Sequence, residues 1–284
     1  MIHIAVLITC FNRKPKTLQC IKNLYAQDCL DKVDLNIFIV DGGSSDGTPE
    51  CISSSYPEIK IEVAEGLYWA GGMRRAWANA LSEQEYDFLW LVNDDTNLYS
   101  SSLSILLKTH EFSLNKYKQA GVYTGCTKSP TTGELTYGAK KLRNENRIKG
   151  DLLAPNGDFQ ECDLCNGNTL LIPKDVYSVI GGLYDKSTHG IADWEYSLRA
   201  KRAGLPVLMA PVYLGECERD HGKTWLSSKV SLKQRLVYMN SPKGLSYTEF
   251  TAFVKLYFPK DYYPIKMKMW IKTLFPFVYD LLKR

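Results

Sequence analysis

Phe88-Leu89-Trp90-Leu91-Val92 runs straight into Asn93-Asp94-Asp95-Thr96. Five apolar residues with a polar stop read as a buried strand that ends at a turn. Two adjacent carboxylates at a strand end repel each other, and a divalent cation, which prefers oxygen ligands, offsets that cost. An Asp-rich turn with no ligand is the plainer alternative. Upstream, Ile2 to Thr9, Leu35 to Val40 and Ile59 to Ala64 are further short apolar runs rich in β-branched residues. Between them, Thr17 to Gln27 spaces Leu18, Ile21, Leu24 and Tyr25 as a helix does, and Ala70 to Leu81 predicts another. Strands alternating with helices predict right-handed βαβ units, hence an α/β fold with a mostly parallel central sheet and helices on both faces. Ligands of such sheets bind beyond the carboxyl ends of the strands. Polar residues gather there: Thr9 to Arg13, Asp41 to Asp46, and Asp94 with Asp95.

Farther along, Tyr123 to Gly167 loosens into Gly, Asn, Thr and Lys, which predicts hairpins and loops over the sheet. Pro173 opens a short helix closed by Gly181-Gly182, and Asp193 to Ala203 predicts another, with Gly204 after it. From Val230 onward two or three helices are expected. The 284 residues are 45% hydrophobic and 23% charged, a folded globular profile that excludes disorder and coiled coil. No run approaches the ~18 to 20 apolar residues that span a bilayer. The start, Met1-Ile2-His3-Ile4, lacks a signal peptide's basic flank, so the cytoplasm is the expected address and the eight cysteines are expected to be reduced. The net charge of +4 implies no nucleic-acid partner. Its distribution is uneven: Lys255 to Arg284 holds seven Lys or Arg against two Asp, leaving 28 basic and 29 acidic residues elsewhere.

A second motif, Val40-Asp41-Gly42-Gly43-Ser44-Ser45-Asp46-Gly47-Thr48, follows the second strand. Asp41 can accept from a base N–H or a ribose hydroxyl, and the small residues let a ligand approach the backbone. A glycine-rich turn into a helix capped by Asp46 or Thr48 reads equally well. The two motifs at this spacing, with Val6-Leu7-Ile8-Thr9-Cys10-Phe11-Asn12-Arg13 before them and Gly66-Leu67-Tyr68-Trp69-Ala70-Gly71-Gly72-Met73-Arg74 between, resemble glycosyltransferase family 2. These are inverting nucleotide-sugar enzymes of GT-A fold, a Rossmann-like architecture. Asn93-Asp94-Asp95 stands where the family has Asp-x-Asp, with Asn in place of the first acid. Asn166-Gly167-Asn168 with Leu170 to Pro173 resembles the acceptor-side strand. His189-Gly190-Ile191-Ala192-Asp193-Trp194-Glu195 resembles the segment carrying the base, although Ala192 replaces the usual Glu or Gly.

The resemblance covers about residues 2 to 225 and implies a GT-A catalytic unit over 1–225 with a C-terminal helical extension over 226–284. It implies that Thr9, Phe11, Arg13 and Asp41 hold the nucleoside, and that Arg74 and Asp94 serve the nucleotide's diphosphate. Asp95, with Asp94, would hold Mn²⁺ or Mg²⁺, and Asp193 would be the base, with Glu195 in reserve. His221, followed by Trp225, matches a further metal ligand of some members. Cys162-x-x-Cys165 with Cys217-x-x-x-His221 offers a rival zinc site, and a surface His with no role is the third possibility.

The implied reaction moves a sugar from a nucleoside-diphosphate donor, UDP-sugars first among them, to a glycan or lipid-linked glycan acceptor in surface polysaccharide assembly. A sugar-phosphate nucleotidyltransferase is the first rival. It would need a glycine-rich basic loop after the first strand, where Thr9-Cys10-Phe11-Asn12 stands. A nucleotide-sugar binding protein without turnover is the second. The basic, aromatic C-terminal stretch, with Lys266, Lys268, Lys272, Lys283 and Arg284 around Trp270, Phe275 and Phe277, suggests an anionic membrane surface on the inner face of the cell membrane. Pro264 and Pro276 are expected to interrupt a long amphipathic helix there.

Overall fold

The computed structural model describes residues 1–219 and 227–278. The first half alternates as the periodicity requires: β1 (Ile2–Cys10), α1 (Lys14–Leu24), β2 (Val33–Asp41), α2 (Thr48–Ser55), β3 (Lys60–Val63), α3 (Trp69–Glu83) and β4 (Phe88–Val92). β5 (Asn97–Leu98), α4 (Ser102–Tyr117), β6 (Val122–Lys128) and β7 (Leu135–Tyr137) follow. A hairpin of β8 (Ala139–Asn144) and β9 (Arg147–Leu152) precedes the short β10 (Gln160–Glu161) and β11 (Leu164–Cys165). Then come β12 (Thr169–Pro173), α5 (Lys174–Ile180), α6 (Ala192–Arg202) and β13 (Val207–Glu216). The chain closes with α7 (Leu232–Asn240), α8 (Tyr247–Tyr257), a 3-10 turn and α9 (Tyr262–Leu274).

The main sheet runs β10-β13-β6-β12-β4-β1-β2-β3, with β5 and β7 on its margins. β3, β2, β1 and β4 are parallel neighbours. β12 enters antiparallel between β4 and β6, so the sheet is mixed on that side. β11, β8 and β9 form a separate small sheet.

Alternation along the strands explains the two cores. Ala5 and Leu7 of β1 face a cluster with Val40, Leu91, Trp77 and Tyr196, while Ile4, Val6 and Ile8 face one with Ile39, Trp90, Ile21 and Leu24. A sheet buried on both faces reads as continuous hydrophobic runs, which is the pattern of β1 and β4. α3 lies very close to β1, because a Cβ on Gly72 would sit 2.3 Å from the Thr9 hydroxyl. This packing presses the amino end of α3 against the carboxyl end of β1.

A third cluster joins the helical extension to the rest. Leu164 and Leu198 pack with Phe253, Val254, Tyr257 and Phe258 of the α8 region. Polar contacts fix the same joint. The Tyr257 hydroxyl donates to Glu195 at 2.6 Å, and Arg202 donates to the Tyr257 carbonyl at 2.7 Å. Pro264 falls in the first turn of α9 and Pro276 beyond its end, so neither interrupts that helix. No described helix is long and apolar enough to cross a membrane.

Candidate active site

Because β1, β2 and β4 are parallel, Thr9 to Arg13, Asp41 to Ser44 and Asn93 to Asp95 emerge on one edge. A cavity of about 370 Å³ opens there, lined by Thr9, Phe11, Arg13 and Asp94 from these strand ends. A larger hollow, about 570 Å³, lies at the opposite, amino ends of the strands beside Ile2, Asp87 and Lys174, out of reach of these motifs.

Asp94 and Asp95 are almost completely covered. Arg13 lies across both, its Nη1 donating to Asp95 at 2.8 Å and to Asp94 at 3.3 Å. The Thr17 hydroxyl donates to the other Asp94 oxygen at 3.3 Å. Burial pushes the Asp94 carboxyl up to about 7, with Asp95 adding to the rise and Arg13 and Thr17 opposing it. Burial and the neighbouring carboxylate thus disfavour charge on Asp94, and Arg13 and Thr17 offset that only in part. Two hard oxygen donors at a strand end suit a divalent cation, and Asp94 and Asp95 are the residues that would hold one. Among the described residues, no group of three His, Cys, Asp or Glu side chains comes together as a metal site. The zinc alternative is thereby corrected: Cys162 and Cys165 have sulfurs 3.7 Å apart in the core, while Cys217 sits elsewhere, beside Asp95. His221 and Trp225 lie outside the described residues.

Asn93 has a different task from its acidic neighbours. Its side-chain oxygen accepts from the Trp69 indole N–H at 2.7 Å, and its backbone N–H donates to the Asn168 carbonyl. Trp69 sits so close to the backbone of Gly167 that a Cβ there would come within 2.4 Å of the ring. Gly167 in turn donates its N–H to Asp193 Oδ2 at 2.9 Å, while the Trp194 N–H donates to Oδ1 at 2.8 Å. Asn93, Trp69 and Gly167 thus form a packed bridge from the paired acids to Asp193.

Asp193 is the second residue of α6 and is not its N-cap. That place belongs to Ile191, which makes no side-chain cap and has φ 76° and ψ −26°. A β-branched residue in the left-handed region is strained, at a cost of order 1–3 kcal/mol, and such strain tends to persist where surrounding structure fixes a functional turn. Burial raises the Asp193 carboxyl above its ordinary value, while the two backbone N–H groups and the Asn166 side chain pull the other way. Lys140 lies close enough to interact with Asp193 electrostatically and has its ammonium 4.1 Å from the Trp194 ring centroid. Glu195, the reserve candidate, faces away. It is buried, paired with Arg199 at 3.0 Å and bound by Tyr257.

Two residues expected to touch the donor, Asp41 and Arg74, are not among those that line the cavity. Asp41 is fully buried, and its oxygens accept from Gly43 N–H, Ser44 N–H, the Ser44 hydroxyl and the Cys10 thiol. Its acceptor capacity is spent on shaping its own loop. Arg74 donates to the Tyr184 and Ser187 carbonyls, both at 2.7 Å, so it holds the loop before His189. Trp69, His189 and Lys243 are among the lining residues that sequence reasoning did not assign to the site. The Trp69 N–H donates to His189 Nδ1 at 3.3 Å. Trp69 and His189 stood inside segments noted for other residues, and Lys243 lay in the extension, more than 140 residues from the paired acids.

The sequence pattern of glycosyltransferase-like family 2 matches residues 3–240, and the chain belongs to that family of sugar-transferring enzymes. A search of curated protein sequences returns no match. Among solved structures, the chain resembles the mannosyltransferase PcManGT from Pyrobaculum calidifontis, determined in complex with GDP-Man and Mn²⁺. The TM-score is 0.51 at 16% identity, covering 82% of this chain and 59% of that one. The likeness establishes the GT-A fold, and the chain spans little more than half of its structural relative.

Proposed function

We propose that the protein transfers a sugar from a nucleoside-diphosphate donor to an acceptor hydroxyl with inversion at the anomeric carbon. The observation that supports this reading is the packed bridge from the paired acids through Asn93, Trp69 and Gly167 to Asp193, with Asp94 and Trp69 lining the cavity. The nucleoside enters between Thr9 and Phe11, whose half-exposed ring offers a face to the base. Asp95, assisted by Asp94, would hold Mn²⁺ or Mg²⁺, which when bound neutralises the diphosphate and eases its departure. Asp193 accepts the proton of the acceptor hydroxyl as that oxygen bonds to the anomeric carbon. The bond from that carbon to the diphosphate oxygen breaks on the opposite face, which inverts the centre. Asp41 and Arg74 support the site through its loops. A catalytic unit over 1–225 with an extension over 226–284 remains part of this reading, as does His221 as a further metal ligand. The relative's GDP-Man places GDP-sugars beside UDP- and dTDP-sugars as donors to try. Incubation with each, with and without Mn²⁺, should release free nucleoside diphosphate from at least one in a metal-dependent way. Binding without release would make it a non-catalytic binder.

The extension also supports attachment to an anionic membrane surface during surface polysaccharide assembly. Tyr263, Met267, Trp270, Ile271 and Leu274 recur at i, i+4, i+7, i+8 and i+11 on α9, and all are exposed. The opposite side, Met269 and Thr273, packs on α7, where Thr273 meets Met239 and Arg235. Lys260, Lys266, Lys268 and Lys272 accompany the apolar stripe, the mix that suits an anionic lipid interface. Each basic residue near such a surface adds about 1 kcal/mol. The full chain should sediment with vesicles containing phosphatidylglycerol and much less with neutral ones, while the double variant Met267→Glu, Ile271→Glu should stay in the supernatant. Equal, negligible sedimentation of the parent chain with both vesicle types would contradict the attachment.

A further inference from the structure

The helical extension forms part of the cavity's wall. Ser241 and Lys243, from the turn between α7 and α8, line the same cavity as Thr9, Phe11 and Asp94. The Lys243 ammonium stands 5.4 Å from the centroid of the Phe11 ring. This is its only polar or ring interaction among the described residues, so its charge meets no carboxylate there. Arg13, by contrast, faces Asp94 and Asp95, and Arg74 is occupied by two carbonyls.

The turn that presents Lys243 is firmly built. The Leu245 N–H donates to the Tyr238 carbonyl and the Ser246 N–H to the Ser241 carbonyl. Gly244 fits so tightly that a Cβ would lie 1.9 Å from the Tyr238 oxygen. Beyond it, Glu249 of α8 accepts from the Thr188 N–H at 3.1 Å and hydroxyl at 2.6 Å, and the Thr188 carbonyl accepts from Ala70 at the start of α3. The turn is therefore moored to the loop that carries His189 and to the helix that carries Trp69.

We propose that Lys243 is a donor-binding residue whose ammonium pairs with the diphosphate of the nucleotide. This rests on the nucleotide-sugar reading above. Asp94 lines the cavity with Asp95 beside it, and two acids with a diphosphate carry more negative charge than Arg13 and a divalent cation together offset. Lys243 supplies further positive charge from an exposed position, with a flexible stem and a weak existing contact. An exposed cation on an aromatic face is only weakly held, so the ammonium gives up the Phe11 ring at little cost. When it turns to the phosphates, that ring face is left for the base. The extension thereby contributes to donor affinity as well as to any contact outside the enzyme.

Titration of GDP and UDP, each with Mn²⁺, into the parent chain, Lys243→Ala and Lys243→Arg tests this. Guanosine and uridine serve as probes without phosphates. Lys243→Ala should weaken nucleoside-diphosphate binding about tenfold, the size of one charge-assisted contact, and should flatten its salt dependence. Lys243→Arg should restore most of the loss, nucleoside binding should change little, and the melting temperature should hold. Unchanged diphosphate affinity in Lys243→Ala would overturn the proposal, as would an equal loss for the bare nucleosides, which would assign Lys243 to the base. If the parent chain binds neither diphosphate, the nucleotide-sugar reading fails and this inference with it.

Discussion

Asp193→Asn should lower turnover by about 10²- to 10⁴-fold, the usual contribution of a positioned base, while nucleotide affinity stays near that of the parent chain. An acceptor hydroxyl is a weak nucleophile until a carboxylate takes its proton, and the amide cannot. Asp193 is not the N-cap of α6, but its two oxygens accept from the Gly167 and Trp194 N–H groups, and an amide keeps only one of those acceptors. Nucleotide affinity, which should hold, separates the lost chemistry from any loss of stability. Burial raises its folded-state pKa above the ordinary 3.8, which means ionisation opposes folding. For a raised carboxyl, stability falls as pH climbs from the unfolded value through the folded one. The neutral Asn escapes that cost but leaves the Gly167 or Trp194 N–H without its acceptor, so a modest fall in melting temperature is expected, too small to account for the lost turnover. The raised carboxyl also places the acid limb of kcat/KM above the ordinary carboxylate value. Glu195→Gln is the matching control. It breaks the ion pair with Arg199 and should lower the melting temperature while sparing the chemistry. Normal turnover by Asp193→Asn, or a well-folded but inactive Glu195→Gln, would reassign the base.

Asp95→Asn should lose most metal-supported turnover, about 100-fold or more, because a metal's stabilisation of a departing diphosphate amounts to several kcal/mol. It should also weaken the Mn²⁺-dependent part of nucleoside-diphosphate binding, a readout independent of chemistry. Arg13, which now reaches both acids, should keep Asp94 paired in the variant and preserve the fold. Full activity of the parent chain in excess EDTA would remove the metal from the account. An unchanged Mn²⁺ titration in Asp95→Asn would move the ligand role elsewhere.

The parallel half of the sheet was legible in the sequence because strands buried on both faces show as unbroken apolar runs. β1, β2 and β4 ended at the polar residues that mark the site, and α3 and α6 began within a residue of their expected starts. β12 was legible as a strand, but its antiparallel entry was not, since direction leaves no trace in a five-residue apolar run. The paired acids stand out in the sequence by residue type at a strand end, and Asp193 by its place in the family motif, and their proposed roles rest on that. What their neighbours do depends on contacts between distant segments. Asp41 and Arg74 have the right chemistry for a ligand, yet local N–H groups and loop carbonyls satisfy them first. Trp69 gains its place from Asn93 and Gly167, 24 residues along for the first and far beyond for the second, and only the folded sheet joins them. Lys243 comes from a helical extension with no periodic sign that it lines the donor cavity. Conversely, Pro264 suggested a broken helix, whereas a proline in the first turn is compatible with the uninterrupted α9.

The most direct test of the account follows the sugar itself. An α-linked nucleoside-diphosphate sugar that the enzyme cleaves, incubated with the full chain and Mn²⁺, is monitored by proton NMR of the anomeric signals before mutarotation. Displacement by an oxygen nucleophile activated at Asp193 predicts that the first sugar product, whether transferred to an acceptor or to water, is the β-anomer, with release lost in Asp193→Asn. A first-formed α-product, or release undiminished in Asp193→Asn, would contradict the account.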